Sequence, residues 1–433
     1  MADYEIPLRR LGHPDIILKP KQIEVLDEIV KGTLETLAIL PTGYGKSLLY
    51  QLAPLILDGT VIVFSPLSVI QEEQVKELKA SALKSCILNT RGRLLTAGNE
   101  EDIKDLKCDI DTSDISNCNL IFAHPEAFFC TSEGNDLLDS SSFTSSVKAI
   151  VIDECHKVAD WGKSFRKAFH HLKELPGFFP GVPRLGLSAT VTKQEEKTVT
   201  TSIGMKNPKV IRESPDRENI YLDIRLKEAS LDIYEVYENI YKPICDNLLQ
   251  NGENFPVTLL FMPLQYIGNA AAYCKHIFKK PTLESCVYGI LCSGQDESVK
   301  NYVIKELSCE NPRIKLVFCT SVVGMGFNSP SVTRVIHARP PRSLSDYVQE
   351  IGRAGRSGIA AKAVLYYSNR DIAANVVDIK PDIIGFCREK GCIREYLLQQ
   401  YGFEKSAVKG HICCYNCKRL CSCIECEMLR IEL

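Results

Sequence analysis

The sequence predicts an α/β protein with two tandem RecA-like lobes, each a doubly wound parallel sheet, and a small cysteine-rich unit after them. Three observations carry this prediction. The 433 residues exceed what one hydrophobic core usually holds, short apolar runs alternate with helical stretches, and eight of the 19 cysteines lie in the last 47 residues. The predicted boundaries are 1–212 for lobe 1, 213–370 for lobe 2 and 371–433 for the cysteine-rich unit.

Runs that are apolar at nearly every position predict strands buried on both faces of a parallel sheet. Lobe 1 has five, at Leu37–Leu40, Thr60–Phe64, Asn119–Ala123, Ala149–Ile152 and Arg184–Leu187. The pattern breaks near 213–219 and resumes in lobe 2 at Thr258–Phe261, Ile314–Cys319, Val332–Ile336 and Ala363–Tyr367. Residues 89–118 are polar and acidic and predict a surface loop region.

Composition excludes several classes of protein. With 45% hydrophobic and 24% charged residues the chain has globular proportions, and no run approaches the roughly 18 apolar residues of a membrane helix. The N-terminus lacks the pattern of a secretory signal, so we expect a reducing compartment in which the cysteines are not disulfide-bonded. A net charge of −2 means that any nucleic-acid surface is a local groove.

The strongest local motif lies at residues 37–49, where a predicted strand runs into a glycine-containing turn and then a helix. Gly43 and Gly45 allow backbone N–H groups to converge on phosphate, Lys46 supplies a charge, and Ser47 can bind Mg²⁺. The motif departs from the general P-loop pattern at Leu40, where glycine is usual. It predicts a nucleotide site, with a helix-capping turn as the alternative.

A second motif, Asp153-Glu154, follows a predicted strand at the edge where parallel sheets bind ligands. We expect Asp153 to bind Mg²⁺ through water and Glu154 to orient the attacking water. Alone, an acidic pair after a strand is usually a solvated loop. Together with a P-loop it predicts the hydrolytic half of an NTPase.

Lobe 2 has no P-loop but carries polar residues that the spacing places on one helix face, Gln349, Arg353 and Arg356. A solvated basic helix is the alternative. Because phosphoryl transfer gains most from an arginine that arrives when a second body closes, we expect both arginines to complete an ATP site in a cleft between the lobes.

In this order the motifs resemble the RecQ family of superfamily 2 helicases, from Leu11 to about Cys426. The matching segments are Leu18–Gln22, Pro41–Ser47, Ser65–Leu67, Asp153–His156, Leu187–Thr190, Thr320–Gly326 and Gln349–Arg356. The most discriminating piece, Trp161–Arg166, looks like the aromatic-rich loop that couples DNA binding to hydrolysis in RecQ enzymes. Trp161, Phe165 and Arg166 offer stacking faces and a cation, although a lone tryptophan is more often a core residue.

The resemblance implies two sets of binding residues. For ATP they are Lys19, Gln22, Thr42, Gly43, Tyr44, Gly45, Lys46, Ser47 and Gln349, with Gln22 at the adenine edge and His13 near the ring. For nucleic acid they are Ser65, His156, Trp161, Phe165, Arg166, Thr190 and Thr320. The family commonly has arginine at the position of Lys19. The segment Tyr288–Gln295 also departs from the family pattern, so it stays open whether this segment contacts nucleic acid.

The cysteine-rich end resembles the zinc-binding hairpin of RecQ proteins. It implies Zn²⁺ bound by Cys392, by the Cys-x-x-Cys pair Cys414 and Cys417, and by Cys421, with Cys423 as the alternative fourth ligand. Cys423 also forms a second such pair with Cys426. A metal would stabilise a segment too small for a core of its own.

The resulting hypothesis is an ATP- and Mg²⁺-dependent 3′–5′ DNA helicase core that acts on single-stranded and partly duplex DNA in repair or recombination. No winged-helix segment follows the cysteines, so we expect ATP hydrolysis and translocation with poor unwinding. The expected location is the nucleus in a eukaryote and otherwise the cytoplasm, with no membrane partner. Two alternatives stay open: an RNA helicase of the same superfamily, and a nucleic-acid-binding protein that has lost turnover.

Overall fold

The computed structural model describes residues 4–66, 68–91, 107–108, 115, 117–161, 167–279, 282, 285–321, 329–404, 406–424 and 426. The chain forms two compact units, Met1–Ser214 and Pro215–Leu433. The boundary lies close to the predicted end of lobe 1 at residue 212. We refer to the two units as lobe 1 and lobe 2.

Lobe 1 is built on a seven-stranded parallel sheet. Its strands are β1 (Glu35–Ile39), β2 (Thr60–Phe64), β3 (Ser85–Leu88), β6 (Leu120–Ala123), β7 (Val147–Ile152), β8 (Arg184–Ser188) and β9 (Lys209–Arg212). They lie in the order β3-β6-β2-β7-β8-β1-β9. A separate antiparallel pair joins β4 (Thr90–Arg91) to β5 (Lys107–Cys108). Most of the predicted loop region 89–118 lies outside the described residues.

The helices of lobe 1 cover both faces of this sheet. On β2, Val61 and Val63 belong to one apolar core, whereas Ile62 and Phe64 belong to the other. Strands buried on both faces need apolar side chains at every position, as the sequence predicts. The α-helices are Glu5–Leu11, Pro20–Val30, Lys46–Leu57, Ser68–Leu78, Pro125–Phe129, Ser132–Asp139, Ser141–Ser146, Cys155–Trp161, Leu175–Phe178 and Lys193–Ser202, and Lys167–Glu174 is a 3₁₀ helix.

Lobe 2 contains a six-stranded parallel sheet. The strands are β10 (Ile220–Leu226), β11 (Thr258–Phe261), β12 (Tyr288–Leu291), β13 (Leu316–Cys319), β14 (Arg334–His337) and β15 (Ala361–Tyr367). They lie in the order β10-β15-β14-β11-β13-β12. The first helices are Ile233–Asn251, Leu264–Ile277, Glu297–Leu307 and Leu344–Ile351, with a 3₁₀ turn at Gly252–Asn254. Two parallel-sheet α/β lobes confirm the predicted fold class.

The cysteine-rich segment belongs to lobe 2 and packs against its sheet. Its helices are Pro381–Arg388, Ile393–Gln400 and Tyr415–Leu420, with a 3₁₀ turn at Gly410–Ile412. Phe386, Leu397 and Cys413 are buried in the same apolar cluster as Leu222 of β10, and Leu222 forms a parallel bridge with Cys414. The predicted boundary at residue 370 stays a prediction.

In the part of the chain that the structure describes, no helix is both long and apolar enough to cross a bilayer. Among the cysteines whose side chains the structure describes, none forms a disulfide bond.

Glu28 anchors the helix Pro20–Val30 to the edge strand β9. Its carboxylate accepts hydrogen bonds from Lys31 (2.9 Å) and Thr33 (2.7 Å) and pairs with Lys209 of β9 (2.9 Å). The hydrogen bonds from Lys209, Lys31 and Thr33, in that order of size, lower its pKa to about 2. The native state therefore holds this carboxylate ionised more strongly than the unfolded chain does.

We expect Glu28→Gln to lower the free energy of unfolding of lobe 1 at pH 7 by about 1 kcal/mol, because both lysines are solvent-screened. A carboxyl whose pKa is lower in the native state stabilises the fold at pH values above its unfolded pKa. The difference in free energy of unfolding between variant and wild type should therefore shrink below about pH 4.5 and vanish near pH 2. Urea unfolding followed by the fluorescence of Trp161, the single tryptophan, reports lobe 1. Glu24→Gln, which changes a more exposed carboxylate paired with Lys21, is the control, and an equal loss in both variants would contradict the prediction.

Candidate functional site

The P-loop region of lobe 1 has the strand–turn–helix form that the sequence predicts. Strand β1 ends at Ile39, residues 40–45 form the turn that includes Thr42, and the next helix begins at Lys46. Gly43 and Gly45 have φ angles of 81° and 87°, in the left-handed region that favours glycine. The Lys46 ammonium donates to the Leu40 carbonyl at 3.4 Å, so it lies folded over the turn. A glycine turn leading into a helix N-terminus is a common binding site for phosphate.

Gln22 and Lys19 pack against this turn. Gln22 is buried, its Nε2 donates to the Gly45 carbonyl at 3.0 Å, and its Oε1 accepts from the Lys19 backbone N–H at 2.8 Å. The Lys19 ammonium donates to the Gly43 carbonyl at 3.2 Å and lies 4.6 Å from the ring centroid of Tyr44. The predicted adenine-binding residues are thus fixed to the predicted phosphate loop, and adenine binding itself stays a prediction.

Gly45 is the position where this packing leaves no room for a side chain. A Cβ there would lie 2.6 Å from Gln22 Nε2. We expect Gly45→Ala to weaken ATP binding at least tenfold, since it adds backbone strain of about 1–2 kcal/mol and displaces Gln22. Gly32→Ala is the matched control, because Gly32 has a φ of 75° and a Cβ there would meet no atom within 4 Å. Titration with a fluorescent ATP analogue measures the affinity of each variant, and equal affinities in the two variants would contradict the prediction.

The acidic pair lies at the carboxyl end of β7. The Asp153 backbone N–H donates to the Phe64 carbonyl at 2.9 Å, and the Glu154 N–H donates to Asp153 Oδ1 at 2.9 Å. Glu154 has a φ of 47°, which turns the chain sharply after the strand. An L-residue held in this region carries strain, and such strain is common at active sites.

The two carboxyl groups have opposite pKa shifts. Burial and the neighbouring Glu154 raise the pKa of Asp153 to about 7, against the opposing charge of Lys46. For Glu154 burial alone would raise the pKa, but Lys46, His156 and Lys157 outweigh it and lower the value. Lys46 therefore acts on both carboxyls, so the P-loop and the acidic pair form one site. The Asp153 carboxyl and the hydroxyl of Ser47, the residue after this lysine, are the hard oxygen ligands that Mg²⁺ prefers.

A chain of close polar contacts connects this pair to the end of β8. The imidazole of His156 lies 3.4 Å from the Glu154 carboxylate, and its Nδ1 forms a 2.9 Å hydrogen bond with the Ser188 hydroxyl. The Ser188 hydroxyl also accepts from the backbone N–H of Thr190 at 3.3 Å. Ser188 lies in the matching segment Leu187–Thr190 but was not named among the predicted site residues.

The predicted nucleic-acid residues of lobe 1 are only partly described. Ser65 and Thr190 are buried near the carboxyl ends of β2 and β8, and neither hydroxyl has a hydrogen-bond partner among the described residues. Trp161 ends the helix Cys155–Trp161. Its side chain, and the whole of Phe165 and Arg166, lie outside what the structure describes.

In lobe 2 the structure corrects the predicted position of the arginines. Gln349 lies in the helix Leu344–Ile351, but that helix ends before Arg353 and Arg356, which lie in the turn that follows. The single helix face predicted for these three residues is therefore wrong. Gly352 is the C-cap of this helix, and Gly355, with a φ of 61°, turns the chain between Arg353 and Arg356.

The turn that follows this helix carries several positive charges. Burial, and then the neighbouring Arg356, lower the pKa of Arg353 to about 10. Burial, and then Arg217, lower the pKa of Arg356. Arg217 donates to the Gly355 carbonyl at 2.7 Å, so three arginines converge on this turn. Arg217 was missed from the sequence because it lies 136 residues before Arg353 in the chain. Clustered guanidinium groups suit a multiply charged anion such as phosphate.

Thr320 lies directly after β13 at its carboxyl end. Its backbone N–H donates to the Leu291 carbonyl at 3.1 Å, and its buried hydroxyl has no hydrogen-bond partner among the described residues. The predicted motif Thr320–Gly326 is only partly described, because residues 322–328 lie outside the described part of the chain.

The cysteine-rich segment brings potential metal ligands together in two groups of four. In each group the ligand atoms all lie within 4.8 Å of one another. The first contains Cys392, Cys413, Cys414 and Cys417, with Cys392 Sγ 3.6 Å from Cys413 Sγ. Three predicted zinc ligands are thus brought together, but Cys413 takes the place predicted for Cys421. Cys421 lies in the second group, because the helix Tyr415–Leu420 separates it from the first.

Two family models match the chain. Residues 19–199 match the DEAD/DEAH box helicase model and residues 243–358 match the helicase conserved C-terminal domain model. Similar solved folds include the Mycobacterium smegmatis helicase Lhr bound to single-stranded DNA and AMP-PNP, with a TM-score of 0.61, 18% identity, and coverage of 94% of this chain and 51% of that one. The DEAD-box helicase Mss116 bound to single-stranded RNA also has a TM-score of 0.61, with 18% identity over 87% of this chain and 77% of that one. The fold and motifs define a superfamily 2 helicase core.

Curated relatives narrow this class. The chain is 28% identical to the bifunctional 3′–5′ exonuclease/ATP-dependent helicase WRN of Mus musculus, over 83% of this chain and 24% of that protein. It is 25% identical to the ATP-dependent helicase SGS1 of Saccharomyces cerevisiae, over 94% of this chain and 28% of that protein. These relatives support a RecQ-type helicase of superfamily 2, a class that implies ATP and Mg²⁺. The chain spans about a quarter of the length of these two relatives.

Proposed function

We propose that this chain is the motor of an ATP-dependent DNA helicase that moves 3′ to 5′ on single-stranded DNA and separates duplexes. The observation that carries the proposal is the placement of the P-loop after β1 and the Asp153–Glu154 pair after β7 at the same edge of one parallel sheet, where both strands pair with β8. The charge of Lys46 accordingly affects the pKa of both carboxyls. A phosphate-binding loop beside a metal-binding and a water-orienting carboxylate is the arrangement that hydrolysis of a nucleoside triphosphate requires.

The residues of lobe 1 have separate tasks in this proposal. Lys46 and the N–H groups of the glycine turn bind the triphosphate, and Ser47 and Asp153 would hold Mg²⁺, which would supply positive charge beside the phosphates. Glu154, whose pKa is lowered, stays ionised and accepts the proton of the attacking water. Gln22 supports the loop from behind through its bond to Gly45.

Two further sets of residues extend the proposal. Gln349, Arg353 and Arg356 of lobe 2 would meet the triphosphate when the lobes close, and the clustered guanidinium charges of this turn support that role. Ser65, His156, Trp161, Phe165, Arg166, Thr190 and Thr320 would contact single-stranded DNA or transmit its binding. The link from Glu154 through His156 to Ser188 supports such a transmission.

The first cysteine group fits Zn²⁺. A tetrahedral ion with metal–sulfur bonds of about 2.3 Å spaces its sulfurs about 3.8 Å apart, close to the 3.6 Å between Cys392 and Cys413. We assign Cys392, Cys413, Cys414 and Cys417 to one zinc ion that fastens the helical hairpin to lobe 2. In a eukaryotic cell the relatives support a nuclear role in DNA repair or recombination.

Strand displacement by the full chain tests the function. A duplex with a 3′ tail should be separated with ATP and Mg²⁺, a duplex with a 5′ tail should not, and Lys46→Ala should abolish the activity. ATP hydrolysis, measured with single-stranded DNA and with RNA of the same sequence, should be stimulated more by DNA. Greater stimulation by RNA would favour an RNA helicase, and equal low rates in wild type and Lys46→Ala would favour a binding protein without turnover.

A further inference from the structure

The second group of metal ligands lies apart from the four cysteines that we assign to the first zinc ion, and it contains Cys421 and Cys423, the two candidates for the fourth ligand of that ion in the sequence. It consists of His411, Cys421, Cys423 and Cys426. His411 Nδ1 lies 3.2 Å from Cys423 Sγ and 3.8 Å from Cys421 Sγ, and all four ligand atoms lie within 4.8 Å of one another. Elsewhere Cys245 and Cys274 also form a close thiol contact, but only as a pair.

These distances suit a single tetrahedral ion. With metal–sulfur bonds of about 2.3 Å and a metal–nitrogen bond of about 2.0–2.1 Å, tetrahedral geometry separates sulfur from nitrogen by about 3.6 Å. An iron–sulfur cluster contains several metal atoms and therefore holds its thiolates further apart than this group does. Three thiolates with one imidazole are a ligand set that selects Zn²⁺.

The chain around this group is arranged for a metal rather than for an apolar core. Ile412, Leu420 and Ile424 are 61%, 78% and 77% exposed, whereas the four ligand side chains are buried or half-buried. The six-residue helix Tyr415–Leu420 is too short to be stable by itself. Gly410, with a φ of 68°, turns the chain so that a Cβ at this position would lie 3.8 Å from Cys421 Sγ. The tight turn therefore brings His411 to the thiols.

We propose that His411, Cys421, Cys423 and Cys426 bind a second Zn²⁺, so that the chain carries two zinc ions, one at each end of the helix Tyr415–Leu420. The first group lies at the N-terminal end of this helix, where Cys414 is the N-cap, and Cys421 is its C-cap. The second ion replaces the hydrophobic contacts that the exposed side chains do not make.

Metal content of the full chain, purified in zinc-containing medium under reducing conditions, tests the proposal. Mass spectrometry of the metal should find two zinc ions per chain in wild type, and one in His411→Ala and in Cys417→Ser. His411→Cys should keep two, because a fourth thiolate replaces the imidazole. Cys309→Ser, which changes an exposed thiol outside both groups, should also keep two.

A second measurement guards against a variant that fails to fold. X-ray absorption of the wild-type zinc should show one nitrogen for every seven sulfurs, because one group has four cysteines and the other has three cysteines and one histidine. One zinc ion in wild type, a purely sulfur shell, or two zinc ions retained in His411→Ala would each overturn the proposal. Loss of both ions in His411→Ala with two restored in His411→Cys would support it.

Discussion

Glu154→Gln should reduce the turnover of ATP by the full chain about a thousandfold while the affinity for ATP changes less than threefold. The amide has the shape of the carboxylate but cannot accept the proton of the attacking water, and such a general base contributes about 10²–10⁴ in rate. Binding should survive because Lys46 and the glycine turn remain. Steady-state hydrolysis with saturating single-stranded DNA, and titration with a labelled nucleotide, measure the two quantities.

The matched control is Glu72→Gln, which makes the same change on the exposed side of the helix Ser68–Leu78. It should hydrolyse ATP at the wild-type rate. If Glu154→Gln retained more than a tenth of the turnover, Glu154 would not be the base, and the proposed chemistry of the acidic pair would be wrong.

Arg394→Ala should lower the stability of lobe 2 by about 3–5 kcal/mol. Arg394 is 2% exposed, pairs with Asp216 and donates to the backbone carbonyls of Arg217, Ile220 and Cys413. Removing one member of a buried ion pair leaves the other charge and several carbonyls unsatisfied. Because Arg394 joins the start of lobe 2 to the cysteine-rich segment, we expect both regions to open more often.

Hydrogen exchange of the full chain measures this opening. Amides of β10 and of the helix Ile393–Gln400 should exchange at least a hundredfold faster in Arg394→Ala, whereas lobe 1 should be unchanged. Arg388→Ala, at the exposed end of the helix Pro381–Arg388, should leave exchange within a factor of about two. Unchanged exchange in Arg394→Ala would show that the buried network contributes little to stability.

The sequence predicts the central strands of both sheets but not their edges. All nine predicted runs are strands, and the four strands of the two large sheets that were missed are β3, β9, β10 and β12. Each of these is the outermost strand of its sheet. A central strand is buried on both faces and must be apolar at every position, whereas an edge strand tolerates polar residues such as Lys209 and Arg212 of β9.

The residues of the candidate site divide in a similar way, into those that short motifs reveal and those that only the tertiary structure reveals. Lys46, Asp153 and Glu154 could be found because each lies in a short motif directly after an apolar run. Arg217, Ser188 and Cys413 could not, since each acquires its role only from a partner distant in the chain. The predicted placement of Arg353 and Arg356 on one helix face was wrong because helical spacing was extended through Gly352 and Gly355.

The amino-acid sequence by itself determined the two-lobed fold class, the nucleotide motifs and the family, because these depend on local patterns of apolar, glycine and charged residues. Only the tertiary structure decided which cysteines lie close enough together to share a metal ion. Eight thiols within 47 residues allow many groupings, and the helix Tyr415–Leu420 divides them by placing Cys413, Cys414 and Cys417 towards its start and Cys421 at its end. A metal site depends on distances of a few ångströms between side chains, and chain spacing alone does not fix those distances.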